Sequence, residues 1–280
     1  MKNCIRTELR KALLGKRFRL ALLMGAAIVA AHAAESFAEV FELIRANEEI
    51  AGASFLGCSL FIWWIGVDGW TMGRTFLYSL WPLLAAIPYG ASYLRDFQSG
   101  LYNQIVTRGG RRQYFIAKYI AVSVSGGLAV SFPLVLDLLL HAAICPAIPM
   151  EPGTFLTGIF DGNFLSLLYY QAPWLYVFLW CGIDFLWGAA AACTCLMLGT
   201  KLRNGFFTAT FPLVVLTVLN GLCRTIAKAY NLNVLLSPLW LASPSAGRYN
   251  PGYILLPELA IWLLGTFVIG YRQVTKNELV

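Results

Sequence analysis

Charged residues are scarce in this sequence: Asp, Glu, Lys and Arg together account for only 12% of its 280 residues. A typical soluble domain carries about 25%. Hydrophobic residues make up 59% of the chain and aromatic residues 14%, and its mean hydropathy is positive. The composition argues against a soluble domain and is typical of a protein that crosses a membrane several times.

Sequence signatures of catalysis are missing as well. With only His32 and His141, the chain lacks the zinc-protease pattern HExxH, and it has no GxSxG nucleophile elbow. It also has no GxxxxGKS or GxxxxGKT phosphate loop, so we do not expect it to hydrolyse ATP. The seven cysteines form no CxxC pair and fit small packing residues better than a metal or disulfide framework. We therefore predict no enzyme activity and no cofactor or metal bound by this chain.

Six apolar runs predict an all-α, polytopic integral membrane protein. They lie at 18–34, 75–94, 115–141, 173–199, 206–223 and 253–271. Such runs suit helices that cross a hydrocarbon core about 30 Å thick, and we assign residues 1–280 to a single membrane domain. The first run resembles a secretory signal that ends at Ala31-His32-Ala33, but its basic head is about twice the usual length. We predict an uncleaved first span.

The distribution of positive charge predicts how the spans are oriented. With the N-terminus in the cytosol, 16 of the 21 Lys and Arg residues fall in cytosolic segments, at 1–19, 95–118, 200–205 and 272–276. Because basic residues favour the cytosolic side, both termini are predicted to be cytosolic. The net charge of +7 could instead suggest a nucleic-acid partner, but most basic residues border apolar runs, so we expect none.

Residues 35–74 are predicted to form an external segment. Acidic and aromatic residues at its start fall on different helical faces, which indicates an amphipathic helix. The apolar run at 53–67 suggests a seventh span, but it is short, and a crossing there would turn the later basic segments outward. We predict an interfacial or re-entrant segment, with Trp63, Trp64 and Trp70 in an aromatic belt.

Residues 1–17 are predicted to form a basic amphipathic helix. Its apolar positions are Ile5, Leu9 and Leu13, and its basic positions include Arg6 and Arg10. Such a helix suits the inner leaflet, where anionic lipid contributes about 1 kcal/mol per nearby Lys or Arg. The alternative is a basic head that only sets the topology.

The polar loop at 95–114 interrupts the apolar pattern. Phe97, Leu101 and Ile105 lie four residues apart, so a helix here would present an apolar ridge suited to a groove in a partner protein. Gly109-Gly110 is predicted to end that helix.

In this loop the chain resembles the membrane subunits of ABC type-2 exporters. In that family, the loop between the second and third spans often begins with an acidic residue, followed after three residues by a glycine and an apolar helical stretch. A break, a basic residue and a lysine that enters the next span then follow. The matching positions are Asp96, Gly100, Leu101 to Val106, Gly109-Gly110, Arg111 or Arg112, and Lys118. The chain departs from the pattern at three places. Asp96 stands where glutamate is usual, and Gly100-Leu101 stands where Gly-Thr is common. Gly109-Gly110 stands where the break often has a proline.

The resemblance implies that residues 95–114 are a cytosolic coupling helix seated in a separate ATPase subunit. Two copies of that subunit would bind ATP and Mg, a second permease subunit would complete a dimer, and residues 1–17 would be an interface helix. The implied ATPase contacts are Asp96, Phe97, Gly100, Leu101, Ile105, Arg108, Arg111 and Arg112. The chain would then be an exporter permease subunit in a bacterial plasma membrane, and nothing in its spans names the substrate.

Acidic residues within the apolar runs suggest a second function. Asp184 lies near mid-span, Asp137 and His141 lie four apart toward one end of the third run, and Glu258 lies in the sixth. An ion-coupled secondary carrier would use such groups, above all Asp184, as a proton relay. For these residues the alternatives are hydrogen bonds between helices or exposure at the outer rim. For the whole chain, a membrane scaffold that transports nothing is a third possibility.

Small residues cluster at 123–131 and 188–195, where they allow helices to approach closely. This packing would occur either within one subunit or at a dimer seam.

Overall fold

The structure of the chain is a computed structural model. The structure describes residues 2–49, 57–150, 159, 162–199, 201–202, 204–232, 236–244 and 250–276. The described residues form helices α1 (Lys2–Leu14), α2 (Lys16–Glu49), α3 (Leu60–Trp63), α4 (Met72–Ala86), α5 (Ser92–Gln98), α6 (Leu101–Gly109), α7 (Arg111–Ala142), α8 (Ser166–Gln171), α9 (Pro173–Leu198), α10 (Gly205–Ala229), α11 (Pro238–Leu241) and α12 (Gly252–Lys276). The all-α prediction is confirmed for this part of the chain.

Five of these helices, α2, α7, α9, α10 and α12, are long and apolar enough to cross a membrane. The chain is therefore a multi-pass membrane protein. The remaining predicted span, 75–94, is divided between α4 and α5, with turns between them. Pro88 lies in the turn and has no amide N–H to continue the helical ladder. The count of six spans remains a prediction.

Helix α1 covers most of the predicted N-terminal segment 1–17 and turns into α2 at Gly15. Its basic residues are exposed, whereas Glu8 and Ala12 are buried where α1 packs on α7. Helix α2 then continues without a break to Glu49. The amphipathic stretch expected at the start of the external segment is thus the continuation of the first span.

The centre of the fold is the contact between α7 and α9, and small residues make it possible. A Cβ atom added to Gly126 would lie 2.4 Å from Ala192 Cβ, and one added to Gly188 would lie 2.8 Å from the Gly126 carbonyl oxygen. The backbones therefore meet where side chains are absent. Both small-residue stretches pack within one chain, which is the first of the two alternatives for them.

Residues 57–71, which precede α4, fold into the bundle, and residues 53–56 of the predicted interfacial or re-entrant segment lie outside the described part of the chain. Trp63 and Trp64 are 5% and 0% exposed, and the Trp64 indole Nε1–H donates to the Leu134 carbonyl of α7. The prediction of an interfacial belt is wrong for these two residues, because buried partners satisfy them, whereas Trp70 is 51% exposed. Helices α10 and α12, by contrast, expose most of their apolar side chains.

Candidate functional site

A buried ammonium group lies where α1, α5 and α7 meet. Lys118 Nζ of α7 is 2.5 Å from Glu8 Oε2 of α1 and 2.6 Å from Asp96 Oδ2 of α5. The lysine is fully buried, and the Asp96 side chain is 14% exposed. One cation thus joins α5 and α7 to α1, which lies far from both in the sequence.

Two tyrosines complete this group of residues, which we name the Lys118 cluster: Glu8, Tyr89, Asp96, Tyr114 and Lys118. Lys118 Nζ donates to the Tyr89 hydroxyl at 3.2 Å, and that hydroxyl donates to Glu8 Oε2 at 2.7 Å. The Tyr114 hydroxyl donates to Asp96 Oδ2 at 2.8 Å. The three donors of the ammonium therefore all have partners. Lys118 Nζ also lies 4.7 Å from the centre of the Tyr89 ring, a distance suited to a cation–π interaction.

The electrostatics of the Lys118 cluster depend on one buried positive charge facing two carboxylates. Burial by itself raises the pKa of the Glu8 carboxyl, but the ammonium of Lys118 and the hydrogen bonds from Lys118, Tyr89 and Lys11 outweigh it. The pKa of Glu8 is consequently below its ordinary value, and the carboxylate is ionised at neutral pH. Lys11 adds a second, largely exposed partner at 3.0 Å from Glu8 Oε1.

The predicted coupling segment consists of two short helices. Gly100, with φ of +73°, separates α5 from α6, so Phe97 does not continue the helix of Leu101 and Ile105. Phe97 is 55% exposed, while Leu101 and Ile105 are half-buried. Gly110, with φ of +79°, ends α6 as the sequence predicts. Both glycines occupy the left-handed region, which costs other residues about 1 kcal/mol.

The arginines that the sequence assigned to partner contact differ in their surroundings. Arg111 is half-buried and donates to the Thr275 carbonyl of α12 at 3.4 Å, whereas Arg112 is exposed. The side chain of Arg108 lies outside the described part of the structure, although its backbone belongs to α6. Arg112 and Phe97 are thus the residues of this set whose exposure suits a partner.

A second buried set of polar residues, the His32 cluster, lies at the opposite end of α7. It comprises His32, Ser36, Asp68, Asp137 and His141. Lys118 and Asp137 are 19 residues apart in α7, or about 28 Å along a helix. That separation matches the hydrocarbon thickness of a bilayer, about 30 Å. The two clusters therefore lie near the two ends of one span.

The other acidic residues singled out from sequence are not part of either cluster. Asp184 of α9 is buried and accepts a hydrogen bond from the Tyr78 hydroxyl of α4 at 3.2 Å. This is the interhelical hydrogen bond considered as one alternative for it. Glu258 of α12 is half-buried and lines a largely apolar cavity of about 710 Å³ beside α10.

Sequence reasoning found Asp96, Asp137 and His141 but did not assign roles to Glu8, His32 or Asp68. A signal for Glu8 was available, because it is the one acidic residue of an otherwise basic helix and falls beside the apolar face. His32 and Asp68 gave no comparable signal, since their partners lie 105 and 36 residues away. Comparison of the chain with protein-family models and with curated proteins found no match.

Proposed function

We propose that this chain is the membrane permease subunit of an ATP-driven exporter of the ABC type-2 class. In this proposal it crosses the membrane six times, with α4 and residues 87–94 together forming the second crossing and both termini in the cytosol. The observation that supports it best is the Lys118 cluster, because it ties a surface segment, an N-terminal interface helix and a membrane span to one buried charge.

Force on the coupling segment has a direct route into the membrane. Removing one partner from a buried ion pair costs about 3–5 kcal/mol, so the Asp96 end of α5 and the Lys118 turn of α7 are expected to move together. Tyr114, one turn away on α7, holds the same Asp96 oxygen. Closure of an ATPase against α5 would thereby shift α7, which spans the bilayer, and bias it between two arrangements.

The surface around Phe97 is suited to an ATPase partner. Phe97 presents an exposed ring, and Gln98, the next residue of α5, is exposed and polar. Exposed Arg112 adds positive charge for an acidic surface on the partner. ATP and Mg would be bound by that partner, two copies of which would serve a dimer of permease subunits.

The basic residues around the Lys118 cluster support this orientation. The exposed arginines of α1 lie at this end of the bundle, where anionic lipid of the inner leaflet would attract them. At the level of the bilayer, α10 and α12 offer exposed apolar faces for lipid and for a second permease subunit. We expect the plasma membrane of a bacterium, and the substrate class is left open.

Phe97→Asp tests this proposal without disturbing the bundle. The ring is more than half exposed, so the change should leave the yield and Tm of the purified protein unaltered. A charge in the docking surface should reduce the amount of ATPase that co-purifies from native membranes at least tenfold. A tenfold reduction corresponds to a loss of about 1.4 kcal/mol of binding free energy.

Gln104→Asp is the matched control, because it adds the same charge at an exposed polar position of α6. It should retain more of the ATPase than Phe97→Asp. Equal recovery of the ATPase with Phe97→Asp and with the unmodified chain would refute docking at Phe97.

A further inference from the structure

We propose that His32, Asp137 and His141 form a binding site for one divalent first-row transition-metal ion of the Zn²⁺ class. The three side chains are fully buried, and each offers a ligand atom within 4.8 Å of the other two. They come from α2 and α7, so the site would join two spans at the end opposite the Lys118 cluster.

The hydrogen bonds of the two imidazoles leave one ring nitrogen of each for a metal. His32 Nε2 is 3.3 Å from Asp68 Oδ2, and His32 Nδ1 faces Asp137 Oδ1 at 2.7 Å. When the Nε2–H group donates to Asp68, the lone pair of Nδ1 points toward Asp137. A carboxylate that holds the far N–H group of a metal-bound histidine is a recurrent arrangement in metalloproteins.

His141 repeats this arrangement with a different acceptor. Its Nδ1 lies 3.1 Å from the Asp137 backbone carbonyl, which can only accept a hydrogen bond. That contact fixes the proton on Nδ1 and leaves the lone pair on Nε2, which faces the Ser36 hydroxyl at 2.8 Å. A water molecule would supply the fourth ligand, as in zinc sites with three protein ligands.

The carboxylates are already oriented by backbone groups. Asp137 Oδ2 accepts the Ile65 N–H at 2.7 Å, so Oδ1 is the oxygen directed at His32. Asp68 accepts the Trp70 and Thr71 N–H groups at 3.0 and 3.1 Å. Asp68 therefore stays in the second layer while Asp137 serves as a ligand.

Charge balance also favours a divalent ion. Asp68 and Asp137 bring two negative charges to side chains that are 1% and 0% exposed. One M²⁺ ion bound by two neutral imidazoles would neutralise these two carboxylates. Each buried N–H group of the cluster would then still have an acceptor. Mixed imidazole and carboxylate ligands select transition metals over Mg²⁺ and Ca²⁺, which prefer oxygen alone. Tetrahedral ligands at about 2.0–2.2 Å from the metal lie about 3.3–3.6 Å from one another. The His32–Asp137 contact of 2.7 Å would therefore widen by less than about 1 Å, and a ligand pair at the 4.8 Å limit would close by somewhat more than about 1 Å.

The test uses the full-length protein, purified in detergent through a streptavidin-binding tag because a polyhistidine tag would itself bind metal. After treatment with a chelator, Co²⁺ and Zn²⁺ are added separately, and bound metal is counted by mass spectrometry after desalting. Visible absorption reports the Co²⁺ ligands. The variants are Asp137→Asn and His141→Gln, and the control is Glu42→Gln, which removes an exposed carboxylate from the same helix as His32.

We expect about one metal ion per chain, nitrogen- and oxygen-ligand Co²⁺ bands, and a higher Tm with Zn²⁺ for the unmodified protein and for Glu42→Gln. Asp137→Asn and His141→Gln should lose the ion. Retention of the ion by both variants, or binding far below one ion per chain in the unmodified protein, would overturn the proposal. If a variant does not fold, the Co²⁺ spectrum of the unmodified protein decides the outcome. A thiolate-to-cobalt charge-transfer band in that spectrum would assign the ion to cysteines and overturn the proposal. Metal binding is independent of ATPase recruitment, so this site and the exporter proposal stand or fall separately.

Discussion

At the scale of single residues, the ion pairs of Glu8 differ in burial while sharing one carboxylate. Lys118 is fully buried on one side of it, and the Lys11 side chain is 43% exposed on the other. Buried and exposed pairs have very different consequences for stability. Loss of a buried partner leaves a charge in an apolar environment, whereas exposed pairs contribute about 0–1 kcal/mol.

Lys118→Met should therefore destabilise the protein by about 3–5 kcal/mol, because Asp96 would lose its cation and Glu8 would keep only the exposed Lys11. Lys11→Met, which removes the exposed partner of the same carboxylate, should cost no more than about 1 kcal/mol. Thermal unfolding in detergent compares the two variants. Equal shifts in Tm would mean that the Lys118 cluster does not hold α1 and α5 to α7.

The lowered pKa of Glu8 predicts how this stabilisation depends on pH. A carboxyl group whose pKa is depressed in the folded state contributes stability above its ordinary pKa of 4.5 and loses it as the pH falls through the lower folded value. The Tm difference between the unmodified protein and Glu8→Gln should be constant from neutral pH down to about 5 and shrink below about 4.5. A difference that widens on acidification would contradict an ionised Glu8.

Residue pairing was the part of the site that sequence could not predict. Glu8 and Lys118 are 110 positions apart, and His32 and Asp137 are 105 apart. Helical periodicity assigns a residue to a face of its own helix, but only the packing of whole helices decides which faces meet. The resemblance to exporter subunits singled out Asp96 and Lys118 as motif positions without indicating that they pair.

At the scale of elements, glycines determine how closely α7 and α9 approach. Gly188 of α9 lies against the Gly126 carbonyl, and an added Cβ atom would meet it at 2.8 Å. Gly182, two turns earlier in α9, has open space around its missing Cβ. The two positions share a helix and differ in what a methyl group would contact.

Gly188→Ala should destabilise the protein by about 1–3 kcal/mol, since the backbone of α7 would have to move. Gly182→Ala should be neutral or slightly stabilising, because alanine favours helix and meets nothing. Unfolding in detergent measures both. A harmless Gly188→Ala would show that the two helices are not packed as closely as the structure has them.

Element positions were largely predictable, because runs of apolar residues mark spans directly. The break at Gly109-Gly110 followed from local chemistry and is confirmed, and α1 is a helix over most of the predicted N-terminal segment. The interruption between α4 and α5 was missed, since hydropathy averages over the turn residues around Pro88. The burial of Trp63 and Trp64 was also missed, because an indole suits an interfacial belt and a protein core equally well.

At the scale of the whole molecule, the proposal requires that the end with the Lys118 cluster faces the cytosol and binds an ATPase. Phe97 is an exposed apolar side chain at that end, one residue from Asp96. Tyr253, 70% exposed at the start of α12, is an aromatic side chain placed on the outer side by the proposed orientation. The two positions differ in what each should touch in a native membrane.

A photo-crosslinking amino acid placed at Phe97, and separately at Tyr253, provides the most direct test in intact native membranes. The proposal predicts that the adduct formed at Phe97 contains an ATPase subunit with a GxxxxGKS or GxxxxGKT loop, and that the adduct at Tyr253 does not. If position 97 yields no such ATPase, or if both positions yield the same adducts, the chain is not an exporter permease coupled through this segment.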